Sequence, residues 1–180
     1  MPVFKSQGRS LTNLRFADDV LLAARSKADI IKMLKDFAQD SEKCGLKLNY
    51  GKTKVMTWNH YRHSCRDVRI GLGSVEVLGE DAAERYLGRK LALSQSHMVE
   101  LDNRIGAAWA AFHKHKQKLC SKHYKLQDRC RLFDATITPT LLYGCVAWAL
   151  TGQMEKALNV QRRRMLRYVF RLHHRHSQET

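Results

Sequence analysis

Proline is nearly absent from this sequence, with two residues in 180, and glycine is modest at ten. That scarcity, beside a hydrophobic fraction of 44%, excludes a low-complexity or linker-like chain and predicts a globular one. Long apolar runs are missing too. The longest, LLYGCVAWAL, has ten residues, whereas a helix crossing a bilayer needs about 20. No membrane span is expected, and no membrane partner. The opening MPVFKSQGRS has no apolar stretch of the signal-peptide kind. The five cysteines (Cys44, Cys65, Cys120, Cys130 and Cys145) are odd in number and scattered. Together these predict free thiols in a reducing, intracellular setting, nucleus or cytoplasm being left open. Cys145, inside the longest apolar run, is expected in the core.

Acidic residues are the scarcest class relative to their opposites: 17 Asp and Glu stand against 32 Lys and Arg, a formal net charge of +15. The imbalance is uneven. Residues 1–102 hold seventeen basic and thirteen acidic side chains, and residues 103–180 hold fifteen and four. A cationic field concentrated in this way raises the local concentration of a polyanion and makes its binding salt-sensitive. Nucleic acid is the expected partner, with an anionic lipid surface as the competing one.

Periodicity predicts an α+β chain in two parts, 1–92 and 93–180, with no internal repeat. In the first part Leu14 and Phe16 alternate with polar neighbours, and VLLAA is a continuous apolar run, so a hairpin turning at Ala17-Asp18-Asp19 is expected. A helix follows, capped by Ser26, striped by Ile30, Ile31, Leu34, Phe37 and Ala38, and ended near Gly45. LKLN (46–49), KVMTW (54–58), VRI (68–70) and VEVL (75–78) read as short strands, with NHYRHSCRD as a loop. From about Ser96 the pattern is helical. Met98, Leu101, Ile105, Ala108, Trp109 and Phe112 form one stripe, and a second helix from Leu126 should kink or end at Pro139. A third, over about 153–172, sets Leu158, Met165, Val169 and Leu172 opposite Arg163, Arg164, Arg167 and Arg171.

Two neighbouring carboxylates on a strand turn resist joint ionisation unless a cation compensates them, and their oxygens suit Mg²⁺. In phosphoryl transfer such ions clamp the attacking and leaving oxygens. The competing reading of Asp18 and Asp19 is a solvated turn. Lys114, Lys116, Lys118, Lys122 and Lys125, with Arg104, Arg129 and Arg131, face one acid, Asp128, over 104–131. Contact with a phosphate backbone, without base reading, is expected there. Arg163, Arg164 and Arg167 offer a second such face, or a surface packed on an acidic partner. His60, His63 and Cys65, and Cys120, His123 and Cys130, supply too few ligands at the wrong spacing for structural zinc. Trp109, Phe112 and Trp148 lie on apolar stripes and are expected in the core rather than stacked on bases.

LRFADD, with its apolar flanks, resembles the [FY]-A-D-D signature of reverse transcriptases, especially those of non-LTR (LINE-type) retrotransposons. GLKLNYGKTKVM is similar to the G-L-x-x-N-x-x-K-T block that follows that signature. RYLG at 85–88 resembles the Y-L-G primer-grip hairpin. RIGAAWAAF, LLYGCVAW and LNVQRRRMLRYVF resemble the helical thumb and its extension. The resemblance runs from residue 8 to about 172, in the family's order. It implies a partial polymerase palm (aspartate β-hairpin, helix, short strands) followed by a basic helical thumb bundle. It further implies Asp18 and Asp19 as Mg²⁺ ligands and Lys52 near the departing pyrophosphate, where a cation stabilises leaving-group charge. Tyr86, Leu87 and Gly88 would hold the primer 3′ end, with an ordinary hairpin as the competing reading. The implied partners are an RNA template and a DNA primer.

Two departures qualify the resemblance. The family's Y-G-x-E-x-W block carries Val146 here in place of Glu. The family also uses an aspartate from a strand upstream of F-A-D-D, and residues 1–17 contain no Asp or Glu. The chain by itself is therefore expected to be inactive, short of the fingers and first palm strand. The alternative is a non-catalytic, basic nucleic-acid-binding remnant of such an enzyme. Unpaired sheet neighbours would leave an exposed apolar face, so self-association or marginal stability is expected.

Overall fold

The computed structural model describes residues 4–6, 9–58, 67–71, 73–79, 81–94 and 96–172. They form an α+β chain that divides into two compact units, one of residues 1–88 and 92–94, the other of 89–91 and 95–180.

The first unit is built from hairpins and one helix. β1 (Phe4–Ser6) pairs with β2 (Arg9–Leu11), a hairpin with no counterpart among the sequence expectations. β3 (Asn13–Phe16) pairs antiparallel with β4 (Asp19–Leu22), in the register Phe16↔Asp19 and Asn13↔Leu22. α1 (Lys27–Lys43) follows. Ser26 caps it, its hydroxyl oxygen accepting from Asp29 N–H at 3.1 Å and its O–H donating to Asp29 Oδ2 at 2.7 Å. At the other end Gly45, at φ 76°, lets Leu46 N–H reach back to the Ser41 carbonyl at 2.9 Å, the left-handed closure glycine permits.

β5 (Lys54–Met56), β6 (Asp67–Ile70) and β7 (Gly73–Leu78) form a three-stranded sheet in the order β5-β7-β6, with β5 parallel to β7 and β6 antiparallel to it. Leu34 of α1 packs on Val68, Ile70 and Val75, and Leu22, Ile30 and Val55 fill in around them. Residues 46–49 are not a strand, contrary to expectation. Asn49 spends its polar groups on a turn: its carbonyl accepts from Lys52 N–H, Thr53 N–H and Thr53 Oγ1, and its Oδ1 also accepts from Lys52 N–H. β8 (Ala83–Tyr86) and β9 (Arg89–Ala92) are the two strands of the last hairpin.

The second unit is a three-helix bundle of α2 (Ser96–Leu119), α3 (Leu126–Leu141) and α4 (Gly152–Phe170). Ala108, Phe112, Leu119, Phe133, Ile137, Leu141, Met165 and Val169 form one buried cluster. Residues 104–131 thus span the end of α2, its connection and the start of α3. α3 continues through Pro139 to Leu141, and the Thr136 and Thr140 hydroxyls donate to the Leu132 and Thr136 carbonyls. Thr151 caps α4, accepting from Met154 N–H at 3.3 Å. Trp109 of α2 meets Gln161 of α4, and Cys120 meets Arg171. Residue numbers rise together, so α2 and α4 run parallel with α3 reversed.

Three expectations fail here. Cys145 is exposed, in a 3₁₀ turn (Cys145–Ala147) whose Val146 is fully open to solvent. Gly144 enters that turn at φ 70°, and a left-handed reversal so close to the end of α3 keeps the following residues out of the helical core. Leu172, at 64% exposure, lies beyond the helix end and off the apolar stripe. Met98 is exposed as well, one turn before the buried part of α2 begins.

Candidate functional site

The paired aspartates sit where the β3–β4 hairpin reverses. A two-residue turn, Ala17-Asp18, joins the strands, and Asp19 opens β4 opposite Phe16. Ala17 adopts φ 51°, the positive value that a tight hairpin needs at its first central position and that costs a non-glycine residue about 1–2 kcal/mol. The hairpin is seated on α1, with Arg15 stacked over the Phe37 ring at 5.5 Å and Leu22 entering the small core. Both carboxylates are exposed.

Their oxygens have the right chemistry for a hard divalent ion. Among the described residues, however, no group of three or more His, Cys, Asp or Glu side chains gathers around one point. Asp18 and Asp19 therefore match Mg²⁺ in ligand type and fall short of a full ligand set in number. The same finding applies to Cys120, His123 and Cys130; His60, His63 and Cys65 lie outside the described residues.

Lys52 is exposed in the turn that Asn49 organises. No hydrogen bond or ion pair joins its side chain to Asp18 or Asp19 among the described residues. Tyr86 ends β8 half-buried. Leu87 (φ 48°) and Gly88 (φ 76°) form the two-residue turn, both positive as a type I′ hairpin requires. Glycine adopts that value freely, and Leu87 does so at a cost.

In the helical unit Lys114, Lys116, Lys118, Lys122, Lys125, Arg163, Arg164 and Arg167 are all exposed. Three other arginines from the basic stretches are committed internally. Arg104 (6% exposed) pairs with Glu100 (2% exposed) at 3.1 Å. Arg129 Nη1 donates to the Val169 carbonyl at 2.7 Å, and Arg171 Nε and Nη2 donate to the Cys120 carbonyl at 3.0 and 2.7 Å. Arg129 and Arg171 thus satisfy carbonyls left open at the ends of α4 and α2. Arg104 and Arg129 are structural cations, where phosphate contact was expected of them.

Glu100 is the residue that sequence reasoning missed most completely. Its Oε2 accepts from Lys90 N–H at 2.7 Å and Asn103 Nδ2 at 3.1 Å, and its Oε1 lies 3.7 Å from Arg89 Nε. Arg104 also stacks over Tyr143 at 5.2 Å, and a methyl on Gly144 would sit 3.2 Å from Arg89 Cδ. One carboxylate thereby ties β9 to α2, and the two arginines it pairs with reach the Tyr143–Gly144 turn. The i, i+4 spacing of Glu100 and Arg104 was the available signal, but it is equally the spacing of a surface pair.

No protein-family model matches the chain. It is 37% identical over 157 residues to a putative uncharacterized transposon-derived protein of Caenorhabditis elegans, a match covering 85% of this chain and 54% of that protein. The chain spans about half the length of the relative it matches. This similarity associates the chain with transposon-derived sequence.

Proposed function

We propose that the chain is the C-terminal palm and thumb portion of a retrotransposon RNA-directed DNA polymerase. The observation that carries this reading is the β3–β4 hairpin, which sets Asp18 on a two-residue turn and Asp19 beside it. Downstream come a helix, the Asn49-organised turn bearing Lys52, a second tight hairpin at Leu87-Gly88, and a three-helix bundle with a cationic surface. Similarity to a transposon-derived protein supports the same origin.

On this reading the chain's residues divide the work of nucleotidyl transfer. Asp18 and Asp19 offer carboxylate oxygens to Mg²⁺, which when bound offsets charge on the reacting phosphate oxygens. Two ligands alone hold such an ion weakly, so a complete site draws on further carboxylates. Lys52 stands as a cation for the departing pyrophosphate. Tyr86, Leu87 and Gly88 hold the primer end. The exposed lysines of α2 and of the α2–α3 connection, with Arg163, Arg164 and Arg167, neutralise backbone phosphates of the RNA template and DNA primer without reading sequence.

Primer extension on an RNA template with Mg²⁺, using the wild type and Asp18→Ala, tests this. Incorporation that disappears in Asp18→Ala establishes the polymerase reading. Primer–template binding that Asp18→Ala leaves intact, without any incorporation, favours the non-catalytic remnant. Failure to bind primer–template at all overturns both.

A further inference from the structure

The parallel packing of α2 and α4 creates a surface that neither helix has alone. On α2, Trp109, His113 and Lys116 follow at i, i+4 and i+7, one stripe along the helix. On α4, Gln161, Arg164 and Tyr168 follow at i, i+3 and i+7. The two stripes are fastened along their length. Trp109 Nε1–H donates to Gln161 Oε1 at 3.2 Å, the Trp109 and Tyr168 rings meet edge to face at 6.1 Å, and Arg171 closes the far end on the Cys120 carbonyl.

Trp109 forms the floor of this seam. It leans on the core residue Phe112, and its ring is 5.9 Å from that of His113. The rims are open: His113, Lys116 and Arg164 are exposed, and Tyr168 is 55% exposed. Neither stripe carries an acid. Tyr168 and His113 both pack against Trp109 and both leave much of their rings open to solvent. Two exposed rings on a shared Trp109 floor, with exposed cations on the same two stripes, suit a ligand that alternates π-faces with negative charge.

We propose that the α2–α4 seam binds unpaired nucleic acid, with bases stacking on Tyr168 and His113 and phosphates lying against Lys116 and Arg164. Double-stranded nucleic acid keeps its base faces covered and cannot use the rings. Stacking on an aromatic side chain contributes enough per base for its removal to be read as about a tenfold loss of affinity or more. The seam rests on the nucleic-acid reading of the helical unit and does not depend on polymerase chemistry.

The test is equilibrium binding of the whole chain to a labelled single strand and to a duplex of the same length, with polyglutamate as a polyanion that has no bases. The His113→Ala/Tyr168→Ala variant should lose about tenfold or more for the single strand and under about twofold for the duplex. Tyr168→Phe should keep single-strand affinity, which separates a lost ring from a lost fold. Lys116→Ala/Arg164→Ala should weaken single-strand binding and flatten its salt dependence. The proposal is overturned if the alanine double variant binds single strands as the wild type does. It is equally overturned if polyglutamate binding falls as far as single-strand binding, which would mark the seam as a site for acidic polypeptide. A chain that grips duplex primer–template but ignores single strands sinks the seam and spares the polymerase reading. One that binds single strands through the seam without extending a primer does the reverse.

Discussion

The two units of this protein are held together by different means. The helical unit has a continuous core of eight buried residues, two of them phenylalanines, and adds a buried carboxylate with arginines converging on it. The strand unit has four buried residues, Leu34 of α1 with Val68, Ile70 and Val75 of the three-stranded sheet, and its β3–β4 hairpin leans on α1. Each fully buried Leu, Ile, Val, Met or Phe contributes about 1.5–3 kcal/mol, so the second core has far less to offset chain entropy. Yet the aspartate turn, Lys52 and the Leu87-Gly88 turn all belong to the thinner unit. The exposed lysines of α2 and the exposed arginines of α4 are on the thicker one. On the proposed reading, the residues of the chemistry and those that hold the polyanion fall in units with unequal cores.

That contrast can be pressed at three points. The largest effect is expected from Glu100→Ala, which takes the buried carboxylate away from Arg104, Arg89 and the Lys90 N–H. Breaking a buried ion pair from one side costs about 3–5 kcal/mol, read as a fall in the urea midpoint for the helical signal. A loss below about 1 kcal/mol would mean that the helical unit stands on its apolar core alone. Next comes Gly73→Ala in the strand unit. The new methyl would run into the Tyr50 ring, and overpacking of this kind costs about 1–3 kcal/mol. Hydrogen exchange should quicken in β6 and β7 while the α2–α4 amides are unchanged. If both sets quicken together, the units fold as one.

The smallest effect concerns pH. Lys54 donates to Glu76 at 2.6 Å across the parallel β5–β7 pair, and that hydrogen bond holds its ammonium pKa above the ordinary lysine value. A raised folded-state pKa means that this contribution is fully present below the ordinary lysine value. It is lost as pH rises through the raised one. Thermal melts of wild type and Lys54→Met should therefore differ by a constant amount from neutral pH into the mildly alkaline range and converge only in strong alkali. Convergence near neutrality would show that the pair contributes nothing.

Much of this architecture was legible from residue order. Ser26 and Gly45 bracket α1, the apolar stripes give three further helices, and the aspartate turn lies between two strands as its flanks predict. The failures share a cause. LKLN has strand composition, but Asn49 captures the local amides in a turn before a sheet can. Cys145 has a core composition and is turned outward by the left-handed Gly144. Arg104, Arg129 and Arg171 look like every other arginine in a basic stretch, and only tertiary structure shows that carbonyls and a buried carboxylate hold them. The α2–α4 seam was equally hidden, because its stripes lie about fifty residues apart and each alone reads as a solvated face. Formal charge therefore overstates what this protein can offer a ligand.

The Arg171–Cys120 closure also bears on the order in which the chain is made. α2 leaves the ribosome about fifty residues ahead of the arginine that satisfies its terminal carbonyl, and ahead of the helix it runs parallel to. Until then its Trp109 stripe has no Gln161 or Tyr168 to meet. A nascent chain halted just short of Arg171 would hold all three helices and still lack the clasp at the end of the first.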